Sequence, residues 1–264
     1  MVDPDARMTL VEHLDELRSR LFRCAIVLVV GVIAAAILND RIFRMLLAPL
    51  PLKFRHITTF SPAEPFMVSL KVWVYMGIIM ASPFITYQFW AYVGPALEAK
   101  EKRYFLPVVA ACSLLFLGGV VFGYYIVLPK GLAWLLGLNN QFFNIQNRAQ
   151  DYFSFTSTFL LAFGAVFEMP VIIVLAVRLG IIDVAFLRKN RRYAIVINAV
   201  LAAVITPSQD WFSMVAMLVP LLFFYEASIW IAKLMQGRAR VKASEGEDHD
   251  DTPEDGGDLS QATA

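Results

Sequence analysis

Glu168 is the acid most out of place in this chain, because it lies well inside the apolar run of residues 153–179. A carboxylate at bilayer depth costs about 3 kcal/mol or more unless it meets protein or water. Two roles are open to it: an ionisable or partner-contacting group, or a neutral acid hydrogen-bonded to a neighbouring helix. Glu226 poses the same question within residues 211–231, and Asp210 stands just before that run. A second set of acids is placed differently. Glu12, Asp15 and Glu16 precede the first apolar run, and Glu98 and Glu101 lie between the second and third. If the two stretches adjoin, their carboxylates form a cluster suited to a ligand that carries arginines, since a planar guanidinium engages two oxygens at once. The plainer alternative is that Glu16–Arg20 and Glu98–Lys102 are ordinary helix pairs four residues apart.

Catalytic constellations are not legible. His13, His56 and His249 are far apart in the chain, and Cys24 and Cys112 both lie in apolar runs, where cysteine packs as a small hydrophobe. No phosphate-cradling glycine loop or metal-ligand spacing occurs, so no enzyme activity, cofactor, metal or nucleic-acid partner is expected.

These acids have to be positioned by an integral membrane protein of the all-α kind. Of 264 residues, 58% are hydrophobic, the mean hydropathy is +0.61, and the apolar runs are continuous rather than alternating. Residues 1–20 form a cytoplasmic amphipathic segment: Leu10, Leu14, Leu17 and Leu21 make one stripe, and Thr9 with Glu12 fits a capping box. Residues 21–232 hold six expected spans, at about 21–38, 65–90, 104–128, 153–179, 193–205 and 211–231. The first is expected to stay as an anchor. The loop after it, with IFRMLLAPL, has room for a short interfacial helix. Pro83 is a candidate kink, and Gly118, Gly119 and Gly123 are candidate sites of close helix approach. Pro170 denies a hydrogen bond to the carbonyl of residue 166, which predicts a distorted backbone beside Glu168. The fifth span, some 13 residues, reaches only about 20 Å, short of a roughly 30 Å hydrocarbon core, so the bilayer must thin or water must enter there. Residues 233–264 form an expected disordered cytoplasmic tail, with eight acids and no base after Lys242. Placing both termini in the cytoplasm puts 16 of the 23 Lys and Arg on that side.

Five motifs, in order along residues 9–235, carry a resemblance. HLDELRSRL at 13–21, ASPFITYQFWAYVGPALEAKEKR at 81–103, FGAVFEMPV at 163–171, LRKNRRY at 187–193 and TPSQD at 206–210 resemble the TatC family, the multispanning component of the twin-arginine protein translocase. The resemblance implies a curved, glove-like bundle of six helices with a concave face, in the inner (cytoplasmic) membrane. It implies a receptor for Arg-Arg signal peptides that moves folded proteins across the membrane using the proton motive force. The implied partners are the signal peptides and single-span Tat components, in a hetero-complex. By motif, Glu16, Glu101, Arg18 and Tyr92 would meet the signal peptide. Glu168 would be the intramembrane acid, Asp210 the acid after the short helix, and Pro49 a proline of the first external loop. Tyr92 stands where a Phe is also usual, and TPSQD has one residue more between Pro and Asp than some relatives. From the residues alone, a proton- or ion-coupled solute transporter with Glu168 and Glu226 as relay groups stays open, as does a scaffold. The absence of an internal repeat weighs against the transporter.

Overall fold

The computed structural model describes residues 10–93, 105–138, 146–178, 180–206 and 210–247. Glu98, Glu101, Thr9 and the tail beyond residue 247 lie outside the described residues; the stretch expected to be disordered from residue 233 is helical as far as Glu247, because the helix that begins at Trp211 continues past the apolar run. The described chain is almost wholly helical: α1 (Leu10–Ile37), α2 (Asn39–Leu47), α3 (Glu64–Val93), α4 (Phe105–Phe122), α5 (Leu128–Gly137), α6 (Ala149–Phe167), α7 (Met169–Arg178), α8 (Val184–Lys189), α9 (Arg191–Ile205) and α10 (Trp211–Glu247). Two short strands, β1 (Ile57–Thr58) and β2 (Asn147–Arg148), pair in parallel with Ile57 opposite Asn147.

Among the described residues, five segments are long and apolar enough to cross a membrane: Val11–Ile37, Glu64–Tyr92, Phe105–Gly137, Ala149–Arg178 and Trp211–Met235. The short helix expected at 193–205 is α9, with 15 residues, about 22 Å. It falls below the length of a full span. The amphipathic stretch and the first span, separated at residue 20 by the sequence reading, form one continuous helix, α1. The apolar stripe of α1 stays exposed at Leu14, Leu17 and Leu21, the exposure expected of a surface meeting lipid or another chain rather than its own core.

The third span also differs from expectation. The sequence reading closed it at residue 128, before Pro129, but the chain stays helical to Gly137 through a π turn at Gly123–Val127. Pro129 falls in the first turn of α5, where its missing N–H is not needed, and the widened turn absorbs the change of register. Pro83 sits inside an unbroken α3. It cannot donate to the Ile79 carbonyl, and the Ser82 hydroxyl does so in its place at 2.8 Å.

Helices pack in the order α1 on α3, α3 on α4 and α6, α4 on α6, and α10 on α7 and α9. With apolar lipid outside, close packing rather than hydrophobic burial holds such neighbours. Gly31 and Gly77 form the α1–α3 crossing: a Cβ on Gly31 would stand 2.7 Å from Gly77 O. Gly119 does the same for α4 and α6, where a Cβ would lie 2.5 Å from Phe163 O, whereas Gly118 faces open space. On the side where α1 ends, loops are tied down by side chains. The last carbonyls of α2 accept from Tyr124 (to Met45 O, 2.7 Å) and Tyr152 (to Leu46 O, 2.6 Å). The buried Glu64 carboxylate takes Arg148 Nε at 2.8 Å and the Phe60 N–H at 2.9 Å.

Candidate functional site

Two polar places stand out, and α3 contributes to both. The first lies where the amino-terminal half of α1 meets the end of α3. Helical periodicity brings His13, Glu16 and Arg20 to one face of α1, three and four residues apart, and Gln88 and Tyr92 to the facing side of α3. Arg20 Nε donates to Glu16 Oε1 at 2.9 Å, and Arg20 Nη1 reaches Gln88 Oε1 at 3.1 Å. The imidazole of His13 stacks on Tyr92, ring centres 4.4 Å apart and 15° from parallel. The pair of Glu16 with Arg20 forms as the plainer sequence reading had it, yet it engages only one carboxylate oxygen. Oε2 of Glu16 is buried and has no hydrogen-bond partner among the described residues. A buried acceptor left unmade costs about 1–3 kcal/mol, which an incoming donor would recover.

The other sequence-selected residues of this corner are placed apart from it. Arg18 is exposed on another face of α1, its guanidinium 5.8 Å from the ring of Phe22. Glu12 and Asp15 are also exposed. Glu101 lies outside the described residues.

The second place surrounds Glu168. The helix expected to distort here is interrupted: α6 ends at Phe167, α7 begins at Met169, and Glu168 at the joint sends its N–H to Ala165 O, three residues back, at 3.1 Å. Between Glu168 and the end of the span run the ten residues of α7, about 15 Å, which is half the hydrocarbon thickness. The side chain faces a cavity of 390 Å³ bounded by α3, α4, α6 and α7, with Ser82, Thr86, Trp90, Cys112 and Phe116 among its walls. The walls are mostly apolar. Trp90 Nε1 donates to Cys112 Sγ at 3.2 Å, and Cys112 and Glu168 line the same cavity. Oε1 of Glu168 is buried without a partner among the described residues. Gln88, which reaches the α1 corner, and Trp90, which walls this cavity, are two residues apart on α3, so the two places adjoin along one helix.

Glu226 and Asp210 have local partners. Glu226 Oε2 accepts from Arg191 Nη2 at 2.8 Å, both side chains nearly half exposed, and such a pair contributes about 0–1 kcal/mol. Asp210 Oδ1 accepts the Ser213 N–H at 2.7 Å, which caps the amino terminus of α10. Among the described residues, no group of three or more His, Cys, Asp or Glu side chains could hold a metal.

Sequence reasoning did not single out Gln88, Cys112 or Trp90 as site residues. Gln88 and Tyr92 are four apart, so a shared face of α3 could be read from spacing, but its partner helix could not.

A family model described as Sec-independent protein translocase protein (TatC) matches residues 12–220. The chain is 39% identical over 248 residues to the Sec-independent protein translocase protein TatC of Desulforapulum autotrophicum, covering 92% of this chain and 91% of that protein. It is 32% identical over 234 residues to the TatC of Escherichia coli, covering 88% and 90%. A crystal structure of a twin arginine translocase receptor, TatC, matches with a TM-score of 0.76 at 39% identity, over 84% of this chain and 99% of that one.

Proposed function

This chain belongs to the TatC family of Sec-independent protein translocase proteins, and we propose that it is the signal-peptide receptor and core subunit of its translocase. In this reading it binds Arg-Arg signal peptides and, with single-span Tat components, moves folded proteins across the membrane on the proton motive force. Both termini face the cytoplasm, and α9 serves as a sixth, short crossing in a curved bundle. The solved relative named a receptor supports the assignment. The observation that carries it is the buried, unpartnered Oε2 of Glu16 at the α1–α3 corner. One guanidinium of the peptide takes that oxygen while Arg20 keeps the other. Glu101, which lies between α3 and α4 in the sequence, supplies a second carboxylate. Tyr92, held flat by His13, offers an aromatic face at the same corner. Arg18, over Phe22 on another face, acts by holding α1 at the interface.

Glu168 plays a different part. Its free oxygen faces a lipid-depth cavity and accepts a polar group from a partner's transmembrane helix. The relay reading of a solute transporter loses one of its two groups to the exposed Arg191–Glu226 pair. The proposal is tested by site-specific crosslinking from positions 16 and 101 to an Arg-Arg signal peptide. Adducts that vanish with a Lys-Lys peptide support it, and adducts indifferent to the arginines reject it.

A further inference from the structure

A second unpartnered polar group lies away from both places described above. Asn198, on α9, is 1% exposed, and its Nδ2 is buried with no acceptor among the described residues. Asn198 borders a cavity of 400 Å³ between α7, α8, α9 and α10, whose other walls include Met169, Ile173, Leu187, Ile197 and Tyr225. An amide N–H facing an apolar cavity is costly unless something in the cavity accepts from it.

Four bases are chain neighbours of the residues that line this cavity. Arg188 and Lys189 end α8, Arg191 and Arg192 begin α9, and all four are exposed. The first turn of α9 holds no acid, so two arginines occupy a helix end that ordinarily prefers anions. Arg191 is answered by Glu226. Arg192 has no carboxylate partner among the described residues; its guanidinium lies 4.8 Å from the ring centre of Tyr193, which lines the cavity. Along α9, Tyr193 and Asn198 are five residues apart, about 7.5 Å, and the side chain of Asn198 leans back toward Tyr193. The polar zone of one bilayer leaflet is about 5–8 Å deep. A cation and a buried donor are thus spaced across one lipid's polar region, above an apolar slot.

We propose that this cavity binds one anionic phospholipid. Arg192 and Lys189 hold its phosphate, Asn198 Nδ2 donates to a glycerol ester carbonyl, and an acyl chain fills the slot lined by Met169, Ile173 and Ile197. Basic pockets between helices at a membrane surface recognise such headgroups.

The experiment is native mass spectrometry of the purified full chain after delipidation, titrated with phosphatidylglycerol or phosphatidylcholine. The wild type retains one phosphatidylglycerol at least tenfold better than phosphatidylcholine. Asn198→Leu, close in size and without the donor, loses about tenfold in that affinity while its lipid-free melting temperature holds or rises, because a buried orphan has been removed. Arg192→Gln, a surface change that leaves the interior alone, removes the preference for the anionic lipid and stands as the test if Asn198→Leu does not fold. Equal retention of the two lipids by the wild type would overturn the proposal. So would unchanged phosphatidylglycerol affinity in both variants.

Discussion

Gly118 and Gly119 give a matched pair of perturbations within one turn of α4. Alanine at either position gains the same helix propensity over glycine, about 1 kcal/mol, so that contribution cancels between the two variants. What remains is steric. A Cβ at 118 meets nothing within 4 Å, whereas at 119 it meets Phe163 O at 2.5 Å and the Phe167 side chain at 2.8 Å. Phe163 is fully buried, so its backbone cannot step aside cheaply, and the Phe167 atoms met are Cβ and Cγ, at the root of the side chain rather than its movable end. Overpacking of this kind costs about 1–3 kcal/mol. Gly119→Ala should therefore melt below Gly118→Ala by about 2–4 °C for each kcal/mol, measured by thermal unfolding of the purified protein in one detergent. Because Cys112 lies two turns from Gly119 on α4, spreading α4 from α6 should also open the cavity that Cys112 and Glu168 line and raise the reactivity of that thiol toward an alkylating probe. Equal melting temperatures, or a Gly118→Ala variant the less stable of the two, would refute the α4–α6 packing described above.

Glu168→Gln keeps shape and hydrogen bonding but cannot ionise; it should insert and fold normally yet reduce export of a folded reporter, and normal export would return Glu168 to a plain core acid. Tyr152→Phe removes the 2.6 Å bond to Leu46 O in a buried place and should cost about 1–2 kcal/mol of stability, read as a lower denaturation midpoint. Removing residues 248–264, whose composition builds no core, should leave export unchanged in the same reporter assay.

Much of this fold is legible in the residues themselves. Continuous apolar runs mark the long helices, IFRMLLAPL marks α2, and Glu-Met-Pro marks the break at Glu168, because each signal is local. Pro129 misleads for a local reason too: a proline ends a helix in its interior but begins one in a first turn, and only the π turn before it tells which. Gly31 and Gly77 carry no signal, since a lone glycine in an apolar run looks the same whether it meets a helix or lipid. Gly118 and Gly119 show the same limit from the other side: adjacent in sequence, they point to different surroundings. The corner at Glu16 is half legible. The acids and the Arg20 pair follow from spacing on α1, but the reach of Arg20 to Gln88 and the stack of His13 on Tyr92 join segments some 70 to 80 residues apart, and nothing local encodes them. The buried Glu64, which joins β1, β2 and the start of α3, is hidden among loop residues for the same reason.

The binding constant of a fluorescent Arg-Arg signal peptide for the purified protein, wild type against Glu16→Gln, is the most direct measurement. A charge-assisted hydrogen bond contributes about 1.5–3 kcal/mol, so Glu16→Gln should weaken binding about 10- to 100-fold, and a Lys-Lys peptide should bind both proteins weakly. An Arg-Arg peptide that binds Glu16→Gln as tightly as the wild type would contradict the assignment of this corner as the receptor site.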